Sequence, residues 1–302
     1  MILGLGCIAH DLILVTATPW ESGKGRVVKS DRRFGGNVRN ALATVAALEY
    51  PAGYLGTIGT SELADQAVED LGDYDIDTRF VEREDGADPV VSRITVTAGG
   101  ERYVAFDDAP LATTPLPSEA TVHRALGAAT ALMVDACVAP PGSLQVVEQA
   151  RALGVPVIVD AERDASPTVL ALLEAADHLV IPRGFGAEIT GAASPADIAA
   201  ALWNGTRAVI VLTDGAAGSY AFASASSSAH VPAFAVDAVD TTGCGDAFHG
   251  AYAWALISGF DLVDRVTIAS AAAAALASLP TGSRRVVTRS SIAQHAPRVG
   301  LG

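Results

Sequence analysis

Cysteine is scarce: Cys7, Cys137 and Cys244 are the only three in 302 residues. Three cysteines with no C-x-x-C spacing support neither a disulfide framework nor a zinc site, and a reducing cytoplasm fits best. Aromatic residues make up only 6% of the chain, so a core must come from aliphatic side chains and alanine, as when helices pack closely on a sheet. Positive charge is also short, with 20 Lys and Arg against 34 Asp and Glu and a formal net charge of −14. Such a field repels polyanions and argues against a general nucleic-acid binder or an anionic membrane surface, although acidic excess also serves solubility. Long apolar runs are missing too. Ala269 to Leu279 is too short to span a bilayer and reads as a buried helix. Met1 to Gly6 is apolar but has no basic start, so it reads as a first strand rather than a secretion signal. No G-x-x-x-x-G-K-[ST] run is present, which removes the P-loop enzymes.

What is present alternates between strand and helix patterns. An α/β chain of this length commonly folds as one large unit with a small appendage. After the opening strand, Leu12-Ile13-Leu14-Val15 and Arg26-Val27-Val28-Lys29 read as extended pieces around a loop at Trp20 to Gly25. A helix is expected from near Asn37, with an apolar face through Ala41, Leu42, Val45 and Leu48, and then a strand at Tyr54 to Gly59. Val90 to Thr97 and Glu101 to Phe106 flank Ala98-Gly99-Gly100 as the arms of a hairpin would, and pair naturally with residues 12 to 30 in a small sheet. From Ala131 the order is strand, helix, strand: Ala131 to Val134, a helix through Val146 and Ala150, Val155 to Asp160, a helix near Val169 to Ala175, and His178 to Ile181. That order implies a parallel sheet with crossover helices. Ala208 to Thr213 is apolar enough for the sheet centre, and Ser219 to Ala223 with His230 to Phe234 reads as a hairpin around an Ala/Ser loop from Ala223 to Ala229.

Two glycine-rich stretches could carry chemistry. Gly4-Leu5-Gly6-Cys7-Ile8-Ala9 fits the dinucleotide spacing G-x-G-x-x-A, but that fingerprint must open a helix and strand-like residues follow it. The second, Val239-Asp240-Thr241-Thr242-Gly243-Cys244-Gly245-Asp246-Ala247-Phe248-His249-Gly250, leads into an apolar helix. Unpaired amides at a helix start carry partial positive charge, and Gly243 and Gly245 let a phosphate approach the backbone. Asp246, just inside, is placed to take a proton from a hydroxyl that attacks a bound phosphate. Taken on chemistry alone, a first-turn acid that only complements the helix dipole is an equal reading.

Asp240-Thr241-Thr242-Gly243-Cys244-Gly245-Asp246 resembles the D-T-x-G-A-G-D signature of the ribokinase-like (PfkB-type) carbohydrate kinases, with Cys244 in place of alanine. The resemblance implies a three-layer α/β/α fold with a mostly parallel sheet. It also implies one kinase domain over residues 1 to 302, with a β-sheet lid from about 12–33 and 89–109. It makes Asp246 the general base and Gly243, Cys244 and Gly245 the anion hole. Gly6 to Asp11 is similar to the family's first strand and its acidic sugar ligand, Asp11. Phe34-Gly35-Gly36-Asn37-Val38-Arg39-Asn40-Ala41 resembles the G-G-N-x-x-N-A element, which implies substrate contacts at Gly35, Gly36, Asn37 and Asn40; helix capping is the plainer use of the asparagines. Thr213-Asp214-Gly215-Ala216-Ala217-Gly218 resembles the T-x-G-x-x-G turn beside ATP, so Thr213, Gly215, Gly218 and Thr242 are expected at the nucleotide. Asp240 and Thr242 match positions that hold a monovalent cation, K+ in this reading; hydrogen bonds within the loop are an equal use of both. The family's N-x-x-E element for magnesium-bound water is not kept in Ile181 to Gly191, where Glu188 is either the carboxylate left for Mg2+ or a solvated helix residue.

The segment around Asp246 and the region Asp160 to Gly191 look closest to sulfofructose kinase and ketohexokinase-like members, which implies a ketose-type acceptor. Arg39, Arg93, Arg102 and Arg163 are available to a sulfonate or phosphate, though surface charges are the plainer reading of each. A neutral sugar is the expectation, with a nucleoside, a sulfo-sugar or a catalytically silent sugar-binding relative as alternatives. Asp107 and Asp108 after the second lid strand are either substrate contacts or a solvated loop. The resemblance further implies ATP and a small sugar as ligands, a cytoplasmic location and a homodimer formed through the lid.

Overall fold

The computed structural model describes residues 1–17, 25–97, 102–224, 227–279 and 286–300, and only the backbone at Arg102. The chain opens with β1 (Ile2–Leu5), β2 (Ala9–Thr16) and β3 (Val27–Gly35), then α1 (Asn37–Ala47), β4 (Ala52–Ile58), α2 (Glu62–Asp73) and β5 (Ile76–Arg83). Next come β6 (Val90–Val96), β7 (Arg102–Asp107), α3 (Glu119–Ala128), β8 (Ala131–Asp135), α4 (Ser143–Ala152), β9 (Val157–Asp160), α5 (Pro167–Ala175) and β10 (His178–Pro182). The last part holds α6 (Arg183–Thr190), α7 (Pro195–Leu202), β11 (Val209–Thr213), β12 (Ser219–Ser224), β13 (Ser227–Val231), α8 (Cys244–Ile257), α9 (Leu262–Ala277) and α10 (Arg289–His295).

Nine strands form one sheet in the order β13-β12-β11-β10-β9-β8-β1-β4-β5, parallel except at β12 and β13. Successive residues of a strand face opposite sides, so the unbroken apolar runs feed two layers at once. Leu3, Leu132, Leu179 and Ile210 join a cluster with Leu126 of α3, Val147 of α4, Leu172 of α5, Phe185 of α6 and Ile198 of α7. Their neighbours Ile2, Met133, Val180 and Val211 join Leu42 of α1, Leu71 of α2, Tyr252 of α8 and Val266 of α9 on the other face. The three layers expected from the sequence are thus present. A second sheet of four strands, β3-β2-β6-β7, is parallel only at β2–β6.

The G-x-G near the start has a packing explanation. A Cβ on Gly4 would run into Val38 Cγ1, and one on Gly6 would lie 2.7 Å from Val38 Cγ2, so these glycines let α1 rest on β1. β1 leads into strand β2 and not into a helix, which rules out the dinucleotide reading. Another expectation is corrected in the hairpin: β13 starts at Ser227, inside the stretch read as an Ala/Ser loop, and ends at Val231 instead of Phe234. Pro232 follows and has no amide hydrogen to extend the ladder. The turn at 98–100, the loop at 18–24 and residues 225–226 lie outside the described residues. Helices α2, α3, α7 and α10 were not anticipated, although α2 carries a helical stripe at Ala64, Ala67 and Leu71 and α3 one at Thr121, Val122, Ala125 and Leu126.

The order of strands reverses about β1, with β4 and β5 on one side and β8 to β11 on the other. In open α/β sheets the crevice at the carboxyl ends of such strands is where ligands bind.

Candidate active site

The loop before α8 folds around its own side chain and turns. Asp240 Oδ1 accepts the Thr242 amide at 2.9 Å. The Cys244 amide donates to the Thr241 carbonyl at 3.2 Å. Gly243, at φ 80°, makes the left-handed turn into the helix, a conformation that a side chain would strain. With the Cys244 amide spent in the turn, the first-turn amides of Gly245 and Asp246 are those with no partner four residues back. They lie at the positive end of the α8 dipole.

Opposite this helix start stands α1, and two glycines set the approach. Gly36, at φ 102°, is where the chain leaves β3 for α1, and a Cβ there would lie 2.6 Å from the Cys7 carbonyl oxygen. On α8, a Cβ at Gly250 would collide with the Ala41 carbonyl oxygen. The close contact of α1 with α8 brings Asn40 Nδ2 to 2.8 Å from Asp246 Oδ2, to which it donates. Asp11 of β2 joins them from the small sheet: Ser92 Oγ donates to its Oδ1, and its Oδ2 lies 3.0 Å from where a Gly35 Cβ would stand. Asp11, Gly35, Arg39, Asn40, Thr242 and Gly243 line one cavity of about 400 Å³. Asp246 Oδ2 lies behind its wall, between Asn40 and Gly243.

Beneath Asp246 lies a group of residues that the sequence reading missed. Asp135 and Asp160 end adjacent parallel strands β8 and β9 in matching register, and with Asn37, Asp246 and His249 they line a smaller cavity of about 20 Å³. His249 follows Asp246 by three residues and so shares its helix face. Its Nδ1 is 2.8 Å from the Gly245 carbonyl oxygen, its Nε2 3.0 Å from that of Val180 and 3.4 Å from Asp160 Oδ1. Burial is the largest influence on the Asp246 carboxyl and pushes its pKa up to about 6; Asn40 and His249 pull down, while the charges of Asp135 and Glu162 push up. Burial and then the Asp160 charge push Asp135 up to about 7. Asp160 is raised by burial, by Asp246 and by Glu162. The available signals were an acid at two strand ends and the i, i+3 spacing of Asp246 and His249, which need the topology to acquire meaning.

A family model described as pfkB family carbohydrate kinase matches residues 2–284. The chain belongs to this family. The ribokinase of Staphylococcus aureus (strain COL) is 28% identical over 237 residues, 75% of this chain and 76% of that one. Fructokinase-1 of Zea mays is 28% identical over 234 residues, 72% of each. The structure of Arabidopsis thaliana ribokinase complexed with ribose and ATP superposes with a TM-score of 0.85 at 20% identity, covering 97% of both chains. The fold is ribokinase-like, and the protein is a carbohydrate kinase.

The remaining residues singled out from the sequence lie elsewhere in this carbohydrate kinase. Thr213 ends β11, and Gly215 to Ala217 form a short 3₁₀ turn. Gly218, at φ 92°, passes so close to the Val231 carbonyl that a Cβ would collide. Arg183 Nε lies 2.8 Å from Asp214 Oδ2, an ion pair that ties the start of α6 to this turn. Glu188 is exposed on α6. Asp107 and Asp108 are exposed, and Asp107 Oδ1 accepts the Ala109 amide at 3.1 Å. Of the arginines, Arg93 is exposed and Arg163 pairs with Glu162 at 2.7 Å. Arg39 is no surface charge: it is buried against Asp70. The side chain of Arg102 lies outside the described residues.

Proposed function

We propose that this kinase transfers the γ-phosphate of ATP to a hydroxyl of a small neutral sugar of the ketose type, with Asp246 as general base. The observation that carries this reading is the placement of Asp246 Oδ2, held by Asn40 and next to Gly243 at the cavity wall, inside the helix start. An acceptor held by Asp11 and Asn40 would present a hydroxyl to that carboxylate. Asp246 takes its proton as the oxygen attacks phosphorus in line, the bond to ADP breaks, and the amides of Gly245 and Asp246 stabilise charge on the transferred group. Cys244 and Gly243 shape this hole through the turn. Thr213, Gly215, Gly218 and Thr242 face the nucleotide in this reading.

Mg2+ bound with ATP supplies charge neutralisation at the phosphates; Glu188 is the carboxylate of this chain assigned to its water shell. Asp240 and Thr242, joined in one turn beside the helix start, offer oxygens to K+. The neutral acceptor is favoured by the charges around the cavity, where Asp11, Asp31, Asp70 and Asp73 stand against Arg32, Arg33 and Arg39. A nucleotide-consumption panel of ketoses, aldoses, nucleosides and sulfo-sugars tests this: turnover is expected with a ketose, and turnover confined to nucleosides or sulfo-sugars would replace it. Asp246→Asn is expected to retain ATP affinity and to lose about 10²–10⁴-fold in turnover. Near-normal turnover would remove Asp246 as the base.

A further inference from the structure

Arg39 precedes Asn40 on α1 and is only 5% exposed. Its Nε donates to Asp70 Oδ2 at 2.7 Å, its Nη2 lies 2.6 Å from the same oxygen, and its Cζ stands 3.8 Å above the Tyr74 ring centre. Nη1 then donates to Asn40 Oδ1 at 3.3 Å. A guanidinium can only donate, so the group that Asn40 offers it must be the carbonyl oxygen. The two ends of a carboxamide are fixed relative to each other. The NH2 is therefore turned to Asp246, where it meets an acceptor at 2.8 Å.

We propose that Arg39, anchored by Asp70 and Tyr74, is a positioning residue for the base: it locks the Asn40 amide with its NH2 toward Asp246 and so couples the end of α2 to the reacting carboxylate. The inference rests on the reading of Asp246 as the base. Without Arg39 the amide is free to turn and its NH2 is no longer held on Asp246 Oδ2, so the donation that favours the ionised carboxylate weakens and protonated Asp246 gains. The other groups bearing on Asp246 are His249 of α8, Asp135 of β8, Asp160 of β9 and Glu162 just beyond β9. None of these touches Arg39 in the chain of contacts just described, so a change at Arg39 reaches the base through Asn40.

The test reads the carboxyl directly and needs no acceptor. In protein labelled with ¹³C at the aspartate carboxyl, the Asp246 signal is assigned by its loss in Asp246→Asn and followed from acid to neutral pH. Asn40→Ala is expected to raise the midpoint by about one pH unit, the effect of losing one charge-assisted hydrogen bond. Arg39→Met is expected to raise it in the same direction. Arg39→Met added to Asn40→Ala should move it no further, because the two act in series. Arg39→Lys keeps a cation for Asp70 but lacks the fork that also reaches Asn40, so it should fold and still show the shift. If Arg39→Met does not fold, Arg39→Met with Asp70→Asn removes both charges and replaces it in the cycle. An unchanged midpoint in Arg39→Lys, or full additivity with Asn40→Ala, would overturn the lock. Failure of Asp246 as base would show separately, as turnover retained by Asp246→Asn with these midpoints still shifted.

Discussion

For Asp246 in its proposed role as base, two demands conflict. A base must be ionised to accept a proton, yet the water-poor site that strengthens its interaction with a reacting group disfavours the charge. The donation from Asn40 and the charge of His249 offset part of that burial. With the carboxyl pushed up to about 6, kcat/KM is expected to fall about tenfold per unit at pH below that value, as measured in a pH–rate profile. A profile flat down to pH 4.5 or so would show that no such carboxylate limits the reaction. Asp135 makes a separate prediction about stability. Its carboxyl is pushed up to about 7 in the fold, far above the ordinary aspartate value of about 3.9 in an unfolded chain. Between these values the folded protein keeps a proton that the unfolded chain has released, so this group's effect makes stability fall as pH rises through that window. Asp135→Asn removes the titration, and the decline in Tm from about pH 5 to pH 7.5 is expected to shrink. An identical decline in the variant would place the titrating group elsewhere.

The elements α1 and α8 hold the site through the distance between their axes. Gly250 is small because the Ala41 carbonyl occupies the place of its Cβ, and this contact lies one helical turn beyond the Asn40–Asp246 hydrogen bond. Gly250→Ala has to push the helices apart. We expect a loss of about 1–3 kcal/mol, as for other overpacked interiors, together with a fall of about 10²-fold in kcat if the base moves by as much as 1 Å. Thermal melts and steady-state kinetics check the two effects. A variant that is destabilised but fully active would show that the helix spacing serves packing alone. Gly36 works on the same joint from the other end, since its left-handed backbone directs β3 into α1 beneath the Cys7 carbonyl.

In the whole molecule, the small sheet stands apart from the large one and its edges are β3 and β7. Those edges expose Val27, Val28, Tyr103, Val104 and Phe106. Exposed apolar edge strands invite pairing, which supports the expectation of a homodimer through this small sheet. Val104→Lys with Phe106→Lys is expected to halve the mass measured by light scattering. An unchanged mass would mean that the lid is not the interface. No helix among the described residues is long and apolar enough to cross a membrane. The sequence by itself determined the alternation of strands and helices and the glycine-lined entrance to α8. Unbroken apolar runs such as Ile2–Leu5 and Val209–Thr213 become strands covered on both faces, and a glycine-containing Asp240 to Asp246 segment ahead of an apolar run reads as a helix entrance. Its local rules could not say that Asp135, Asp160 and His249 gather under Asp246, or that Arg39 is buried. Those facts depend on residues far apart along the chain being brought to neighbouring strand ends and facing helices, and only the packed sheet decides which ends are neighbours.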